Sequence, residues 1–325
     1  MKCRIICSAF RPLVRLISRA GSHGKLSILI YHRVLPNEDP LRPREVTARM
    51  FNWQMEFVVR CFHALSVAEA ASRLRSGSLP AGAICVTFDD GYRDNAEVAL
   101  PLLEEKGIPG TFFISTGYLD GGRMWNDTVT EAVRRMGPGA LDLTAEGLGY
   151  YFLEGLPQRV SVAEQLIRDL KYRESGERQR LVDHIAALAR SDLPKDLMMD
   201  SSQVRELRDA GMEVGAHTVT HPILAKLDDT QARYEITESR KRLEALIGQP
   251  VRVIAYPNGR PGKDYGPVHV EMVREEGFEA AVTTLWGISD CYTSPWELRR
   301  FTPWDTTPVR FAMRLLLNYR YKQFS

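Results

Sequence analysis

The chain has no apolar stretch near the ~20 consecutive residues that a membrane-spanning helix needs. Cysteine is scarce. Cys3, Cys7, Cys61, Cys85 and Cys291 are an odd set without the paired spacing of a zinc finger, so neither a disulfide framework nor an oxidising compartment is required. Cys85 lies inside an apolar run and reads as a small core residue. Net charge is close to nil, +2 over 325 residues, which predicts no strong whole-protein field and no nucleic-acid partner. Histidine is rare at seven residues, so a pair of histidines close together carries weight. No internal repeat of 20–50 residues is apparent. With 44% hydrophobic and 26% charged residues, the composition excludes a mostly disordered chain and a collagen-like fibre, leaving an ordinary globular protein.

Charge is distributed unevenly. Residues 1–37 hold seven Lys and Arg and no acidic residue, residues 296–325 carry a net +4, and the body between them carries −9. Arg4, Arg11, Arg15 and Arg19 interrupt any apolar core in the first twenty residues, which argues against a signal peptide and for the cytoplasmic side. Phe10, Leu13, Val14 and Ile17 recur at helical spacing, with Arg11, Arg15 and Arg19 on another face. Residues 1–24 therefore read as a basic amphipathic segment. Its apolar face has two destinations: an anionic membrane surface, giving a membrane-associated protein, or the protein's own body. The expected C-terminal element is a basic helix over 306–325.

Between these ends, strands and helices alternate. Lys25–Val34 reads as a buried strand, 47–60 as a helix with Phe51, Met55 and Val58 on one face, and Val67–Leu74 as a second helix. Ala83–Phe88 is a strand, Ala96–Lys106 a helix stopped by Gly107, and Gly110–Ser115 the next strand. The rhythm resumes with helix 202–210, strand Met212–Ala216, the long helix 230–247, strand Val251–Ala255, helix 268–276 and strand Ala280–Thr284. This alternation predicts α/β architecture with parallel strands. Residues 120–200 break the rhythm and read as a mostly helical insertion into the 25–305 body. Ser161 and Glu164 there have capping-box spacing ahead of an apolar-periodic run.

Two constellations carry chemistry. Thr87-Phe88-Asp89-Asp90-Gly91 places two adjacent carboxylates at the end of an apolar strand. Both cannot be buried and ionised without a cation or hydrogen bonds. A divalent metal on one would leave the other free as a base; the alternative is a solvated Asp-Asp-Gly turn. His217-Thr218-Val219-Thr220-His221 places two imidazoles where they converge on one ion if the segment is helical or tightly turned. Both segments follow strands, and the C-terminal ends of strands are where α/β barrels build their sites. Asp90, His217 and His221 then make a three-ligand site with open positions, and Asp89 stands beside it to take a proton as water attacks a carbonyl. That pattern points to metal-assisted hydrolysis.

Four segments together resemble the polysaccharide deacetylase (NodB-homology) family, carbohydrate esterase family 4: ILIYHRV at 28–34, TFDDG at 87–91, HTVTH at 217–221 and AYPNG at 255–259. The resemblance spans about residues 26–304. It implies a distorted (β/α)7 barrel and hydrolytic removal of N-acetyl groups from amino sugars. It assigns Asp89 as the catalytic base and Asp90, His217 and His221 as ligands of one divalent ion, usually Zn2+.

Two motifs depart from the family pattern. Its Arg-x-Pro-Tyr segment is Ala255-Tyr256-Pro257-Asn258 here, so the Arg that orients the base is missing; the Asn258 backbone N–H still suits an oxyanion. Its late Leu-x-His is Leu298-Arg299-Arg300, so the expected general acid is missing, and Arg does not give up a proton at neutral pH. His32, at the end of the first strand, is the candidate acid. Arg300 is the weaker one, with pairing to Asp89 as its other use. Trp125, Trp286 and Trp304 fall near loops of the same rim, where they would either stack on sugars or pack in the core. The expected activity is N-deacetylation of an N-acetylated glycan, a polysaccharide or lipid-linked precursor such as an exopolysaccharide or cell-envelope glycan. The alternatives are hydrolysis of another non-peptide amide on the same fold, or a metal-retaining carbohydrate-binding protein, a reading the two missing motif residues favour.

Overall fold

The computed structural model describes residues 2–319. A seven-stranded, all-parallel sheet forms its centre: β1 (Ser27–Tyr31), β2 (His63–Ala64), β3 (Ala83–Phe88), β4 (Gly110–Ile114), β5 (Glu213–Ala216), β6 (Val253–Ala255) and β7 (Ala280–Val282). The order is β1-β3-β4-β5-β6-β7, with the short β2 on the start of β3. β1, β3 and β4 are buried at every position, as strands covered on both faces are. Tyr31 stands opposite Phe88, Phe88 opposite Phe112, Ile114 opposite Ala216, and Ala216 opposite Ile254. That register brings the C-terminal strand ends to one rim.

The sheet curls into the expected distorted barrel, and a short late segment bridges its open side. Leu298 pairs with Val282 of β7, and Phe301 with Leu29 of β1. The hydrogen bonds are regular: Thr283 N–H to Leu298 O at 2.9 Å, Phe301 N–H to Ile28 O at 2.8 Å and Ile30 N–H to Phe301 O at 3.0 Å. Residues 298–301 thus take the place of a further strand.

Parallel strands require crossovers, and helices supply them. In chain order they are α1 (Lys2–Ser18), α2 (Ala48–Cys61), α3 (Val67–Arg75), α4 (Leu100–Lys106), α5 (Trp125–Arg135), α6 (Leu156–Leu170), α7 (Ser175–Leu188), α8 (Ser201–Asp209), α9 (Asp229–Ile247), α10 (Pro267–Glu275) and α11 (Pro308–Asn318). Phe51, Met55 and Val58 form the inner face of α2, as their spacing predicts. Asp200 with Gln203, and Asp228 with Gln231, build capping boxes that start α8 and α9. Cys85 is fully buried in the core.

Residues 125–188 fold as α5, an antiparallel hairpin (Ala140–Leu143 with Gly149–Phe152), α6 and α7 around an apolar cluster of their own. The hairpin adds strand to a segment expected to be mostly helical. Its alternation is short, with only Leu141 and Leu143 turned inward on the first strand. The capping-box reading at Ser161 is corrected. α6 starts five residues earlier at Leu156, with Pro157 in its first turn, where a missing N–H costs nothing.

The apolar face of α1 belongs to the body. Cys7, Phe10 and Val14 are buried, and the Phe10 ring meets Phe57 edge-on with 5.0 Å between centroids. That corrects the membrane alternative for this face, because Phe10 and Val14 already have partners. Leu13, placed on the same face by its spacing, points outward instead. No described helix is long and apolar enough to cross a membrane. A helix, α11, runs over Pro308–Asn318 within the expected 306–325 segment; Arg320 and Lys322, part of its expected basic character, lie outside the described residues. Truncating Phe10 to Ala should destabilise the protein by about 3 kcal/mol. A lower denaturation midpoint at unchanged m-value would show it, and an unchanged midpoint would detach α1 from the core.

Candidate active site

The site is assembled where the strands end. β3 stops at Phe88, and the next residues leave the sheet by a left-handed turn, with φ 76° at Asp90 and 90° at Gly91. Only glycine suits the second position without strain: a Cβ there would also press on the Ile114 side chain at 3.1 Å. The turn is pinned on both sides, by Asp89 N–H to Tyr31 O at 2.9 Å and by Ser115 N–H to Asp90 O at 3.2 Å.

His217 follows β5, and residues 218–221 make a tight turn, not a helix, with φ 63° at Thr218 and 52° at His221. Thr218 Oγ1 donates to His217 O at 2.6 Å and accepts from His221 N–H at 3.1 Å. One carboxylate from α9 holds the turn from outside. Glu235 Oε2 accepts the N–H groups of Val219 and Thr220 at 2.7 and 2.8 Å, and Oε1 accepts the Thr220 hydroxyl at 2.6 Å. The two imidazole centroids end 4.7 Å apart.

Asp90, His217 and His221 each offer a ligand atom, and these atoms lie within 4.8 Å of one another. The Nε2 atoms of both histidines stand 3.5 Å from Asp90 Oδ1. His217 Nδ1 lies 2.8 Å from the Ala255 carbonyl, which fixes a proton on Nδ1 and turns Nε2 toward Asp90. Asp90 Oδ1 is buried and accepts no hydrogen bond. Burial pushes His221 down to about 3, against the pull of Asp90, so this imidazole is held in its neutral, ligating form. A divalent cation suits an orphaned carboxylate oxygen faced by two imidazole nitrogens.

Asp89 has a different partner. It is 2% exposed, and the fully buried Arg300 grips it with two parallel bonds, Nη1 to Oδ1 at 2.6 Å and Nη2 to Oδ2 at 2.7 Å. Arg300 is itself aimed by Nε to Thr283 O at 2.8 Å and by Nη1 to Thr87 Oγ1 at 3.2 Å. Burial alone would push the Asp89 carboxyl up; the Arg300 and His217 charges outweigh it and hold the group below its usual value. His217 moves the opposite way: burial depresses it, and the Asp89 and Asp90 carboxylates more than compensate, raising it. Arg300 is thus the bidentate partner of Asp89 and has no proton to give.

His32 follows β1 with its side chain exposed at the rim, while its carbonyl accepts Asn95 Nδ2 at 2.9 Å and the next residue, Arg33, is tied to Asp94 at 2.8 Å. The backbone is held and the imidazole left open. Asn258 follows β6 in a left-handed conformation, φ 60°, with its carbonyl fixed by the Thr284 hydroxyl at 2.6 Å. Among the described residues, no backbone acceptor takes its N–H. His32, Asp89, Asp90, His217, His221 and Asn258 all line one cavity of about 810 Å3. A polysaccharide deacetylase sequence profile matches residues 76–169 and 179–281, well over half of the chain.

The chain belongs to the polysaccharide deacetylase family. Membership makes it an N-deacetylase, a hydrolase of non-peptide carbon–nitrogen bonds. The fold agrees with solved deacetylases. A Streptococcus pyogenes deacetylase, PplD, in complex with acetate superposes with a TM-score of 0.61 at 20% identity, over 91% of this chain and 99% of that one. IcaB from Ammonifex degensii gives 0.55 at 21% identity, over 93% and 99%. YxkH of Bacillus subtilis (strain 168), whose name assigns it provisionally as a polysaccharide deacetylase, is 20% identical over 278 residues, 85% of this chain and 71% of its own.

In this deacetylase all three candidate tryptophans reach the groove. Trp125 comes from the insertion, and Trp286 and Trp304 stand together with 5.1 Å between ring centroids. The sequence names Arg300 as the weaker acid candidate with pairing to Asp89 as its other use, and the structure shows that pairing. Glu235 escaped sequence reading, because a Glu on a long polar helix looks solvated.

Two outcomes follow from these contacts. Replacing Arg300 by Met strands a buried carboxylate and should cost about 3–5 kcal/mol in chemical denaturation, whereas Asp89→Leu added to it should recover most of that loss. Removing the Glu235 clamp (Glu235→Ala) should weaken divalent-metal affinity by about 10–100-fold in chelator competition.

Proposed function

We propose that this deacetylase is cation-dependent and removes the acetyl group from an N-acetylated amino sugar within a polysaccharide or its lipid-linked precursor, of the exopolysaccharide or cell-envelope kind. One observation carries the reading: a three-ligand cluster, Asp90, His217 and His221, lies directly beside a carboxylate that Arg300 keeps ionised, at the floor of an aromatic-lined groove. The acetate bound in the structure of PplD is the product such a reaction would release.

A divalent ion held by Asp90, His217 and His221 would supply Lewis acidity to the acetyl carbonyl, with Zn2+ the first candidate from the Asp-His-His donor set. Asp89 accepts the proton of the attacking water. Its oxygens retain lone pairs beyond those engaged by Arg300, and the guanidinium keeps the carboxylate from rotating. The Asn258 N–H donates to the oxygen that becomes negative when the carbonyl carbon turns tetrahedral. His32, open at the rim, gives a proton to the sugar nitrogen as the C–N bond breaks. The C–O bond to water remains, and acetate and a free amine leave. Trp286 and Trp304 offer apolar faces to a sugar ring.

The protein should bind one Zn2+ or similar ion per chain and lose it in His217→Ala. Acetate release from N-acetylated glycans should vanish in Asp89→Asn. In His32→Ala, kcat should fall by about 10^2–10^4 on a soluble substrate, and nearly full kcat would remove His32 from the acid role.

A further inference from the structure

The groove has two chemically different halves. The barrel rim supplies Asp89 and Asp90, one matched by Arg300 and the other facing the two histidines. The other half is cationic. Lys171 follows α6, Arg178 lies on α7, and Arg260 and Lys263 sit on the loop after β6; all four line the same cavity. They belong to the part of the chain, 38–295, whose net charge is −9, so the groove reverses the sign of the body around it.

Arginines elsewhere in this protein are mostly paired: Arg33 with Asp94, Arg42 with Asp127 and Arg314 with Asp305 are examples. None of the four groove cations has a carboxylate oxygen within 4.0 Å among the described residues. Three of them rest on aromatic rings instead. Lys263 and Lys171 place their ammonium groups 4.1 and 5.7 Å from the centre of the Tyr172 ring, and the Arg178 guanidinium lies 5.1 Å from that of Trp125. The nearby carboxylate, Asp264, is 1% exposed and is spent on the loop, accepting the Arg260 N–H at 3.1 Å and the Tyr172 hydroxyl at 3.4 Å. Burial, and then the charges of Arg260 and Lys263, push the Lys171 ammonium below its usual value against the pull of Asp264. Arg178 Nη1 also donates to the Lys171 carbonyl at 3.4 Å, a neutral partner that leaves its charge unmatched. Cations of one sign gathered in a cleft without carboxylate partners concentrate an oppositely charged ligand there. Arg and Lys together suit carboxylate or phosphate oxygens.

We infer that the substrate is an anionic glycan: an oxyanion, carboxylate or phosphate, carried next to the acetylated sugar sits among Lys171, Arg178, Arg260 and Lys263. The placement of the acetylated sugar rests on the deacetylase mechanism above; the charge preference does not. It follows that the insertion, through Lys171 and Arg178, shares the selection of the glycan with the loop after β6, through Arg260 and Lys263.

Three probes test this: an N-acetylglucosamine oligosaccharide, the same chain with its primary hydroxyls oxidised to carboxylates, and the same chain phosphorylated at those positions. Their affinities are measured by calorimetry on the full-length protein and on the double variant Lys171→Gln/Lys263→Gln. The wild type should bind a charged probe about tenfold tighter than the neutral one, with an advantage that shrinks as salt rises. The double variant should lose most of that advantage, and Lys171→Arg/Lys263→Arg should keep it. Whichever charged probe binds tighter identifies the oxyanion. Equal affinity of the wild type for all three probes, binding of none, or a charge advantage that survives in the Gln variant overturns the inference. Acetate release measured alongside separates the two readings. Charge-selective binding without acetate from any probe leaves the anion site and fails the deacetylase; acetate release without charge selectivity does the reverse.

Discussion

Asp89 and Asp90 are neighbours in sequence, both nearly fully buried, and the chemistry requires at least one of them ionised. Two carboxylates in one desolvated turn repel each other and would take up a proton if left alone. The structure meets this with two cationic partners of different kinds. Arg300 is permanent, covalently part of the chain and bidentate. The other would be a divalent ion held by Asp90, His217 and His221. The barrel closure, the tight turn after β5 and the clamp from α9 can each be understood as the means of bringing one of these partners within reach. On the proposed mechanism, a fixed guanidinium on Asp89 and an exchangeable ion on its neighbour would divide the labour: one keeps a proton acceptor charged, the other is free to meet substrate.

The barrel was legible because its strands are nearly continuous apolar runs and each ends on a short polar motif. Apolar period and glycine stops located β1, β3, β4, β5, β6 and β7 to within a few residues. Motif spacing then pointed to Asp89, Asp90, His217 and His221 on one rim, and the family resemblance added Asn258 and His32; all six line one cavity. What was harder to read depended on partners far along the chain. Arg300 and Asp89 are 211 residues apart, and their pairing stood only as the second use of that arginine. Leu298–Phe301 is too short to announce itself as a strand, and only its bonds to β1 and β7 make it one. The start of α6 was missed because Pro157 reads as a loop residue when its place in a first turn is unknown. The hairpin at 140–152 was missed because only two inward side chains mark its first strand.

Arg300 also bears on the two departures from the family pattern. The missing Arg before Tyr256 argued for a binding protein with weak catalysis. The bidentate pair removes that argument, since a guanidinium still holds Asp89, delivered from a different strand position. The missing histidine after Leu298 is the same event seen from the other side: the residue that takes its place is committed to Asp89. An acid must then come from elsewhere on the rim, and His32 is the exposed imidazole that lines the groove.

The closing segment also orders events in time. A chain emerging from the ribosome completes β1 and β3 long before residues 298–301 exist. Until then Asp89 lacks its bidentate arginine, and β1 presents an unpaired edge. The hydrogen bonds between β1 and Phe301, and the grip of Arg300, join the two extremes of the barrel only when a long loop has been closed. A nascent or C-terminally shortened chain would hold Asp90, His217 and His221 and still lack the guanidinium on Asp89 and a sealed barrel. On the mechanism proposed above, such a fragment would carry the candidate ligands and not the activity.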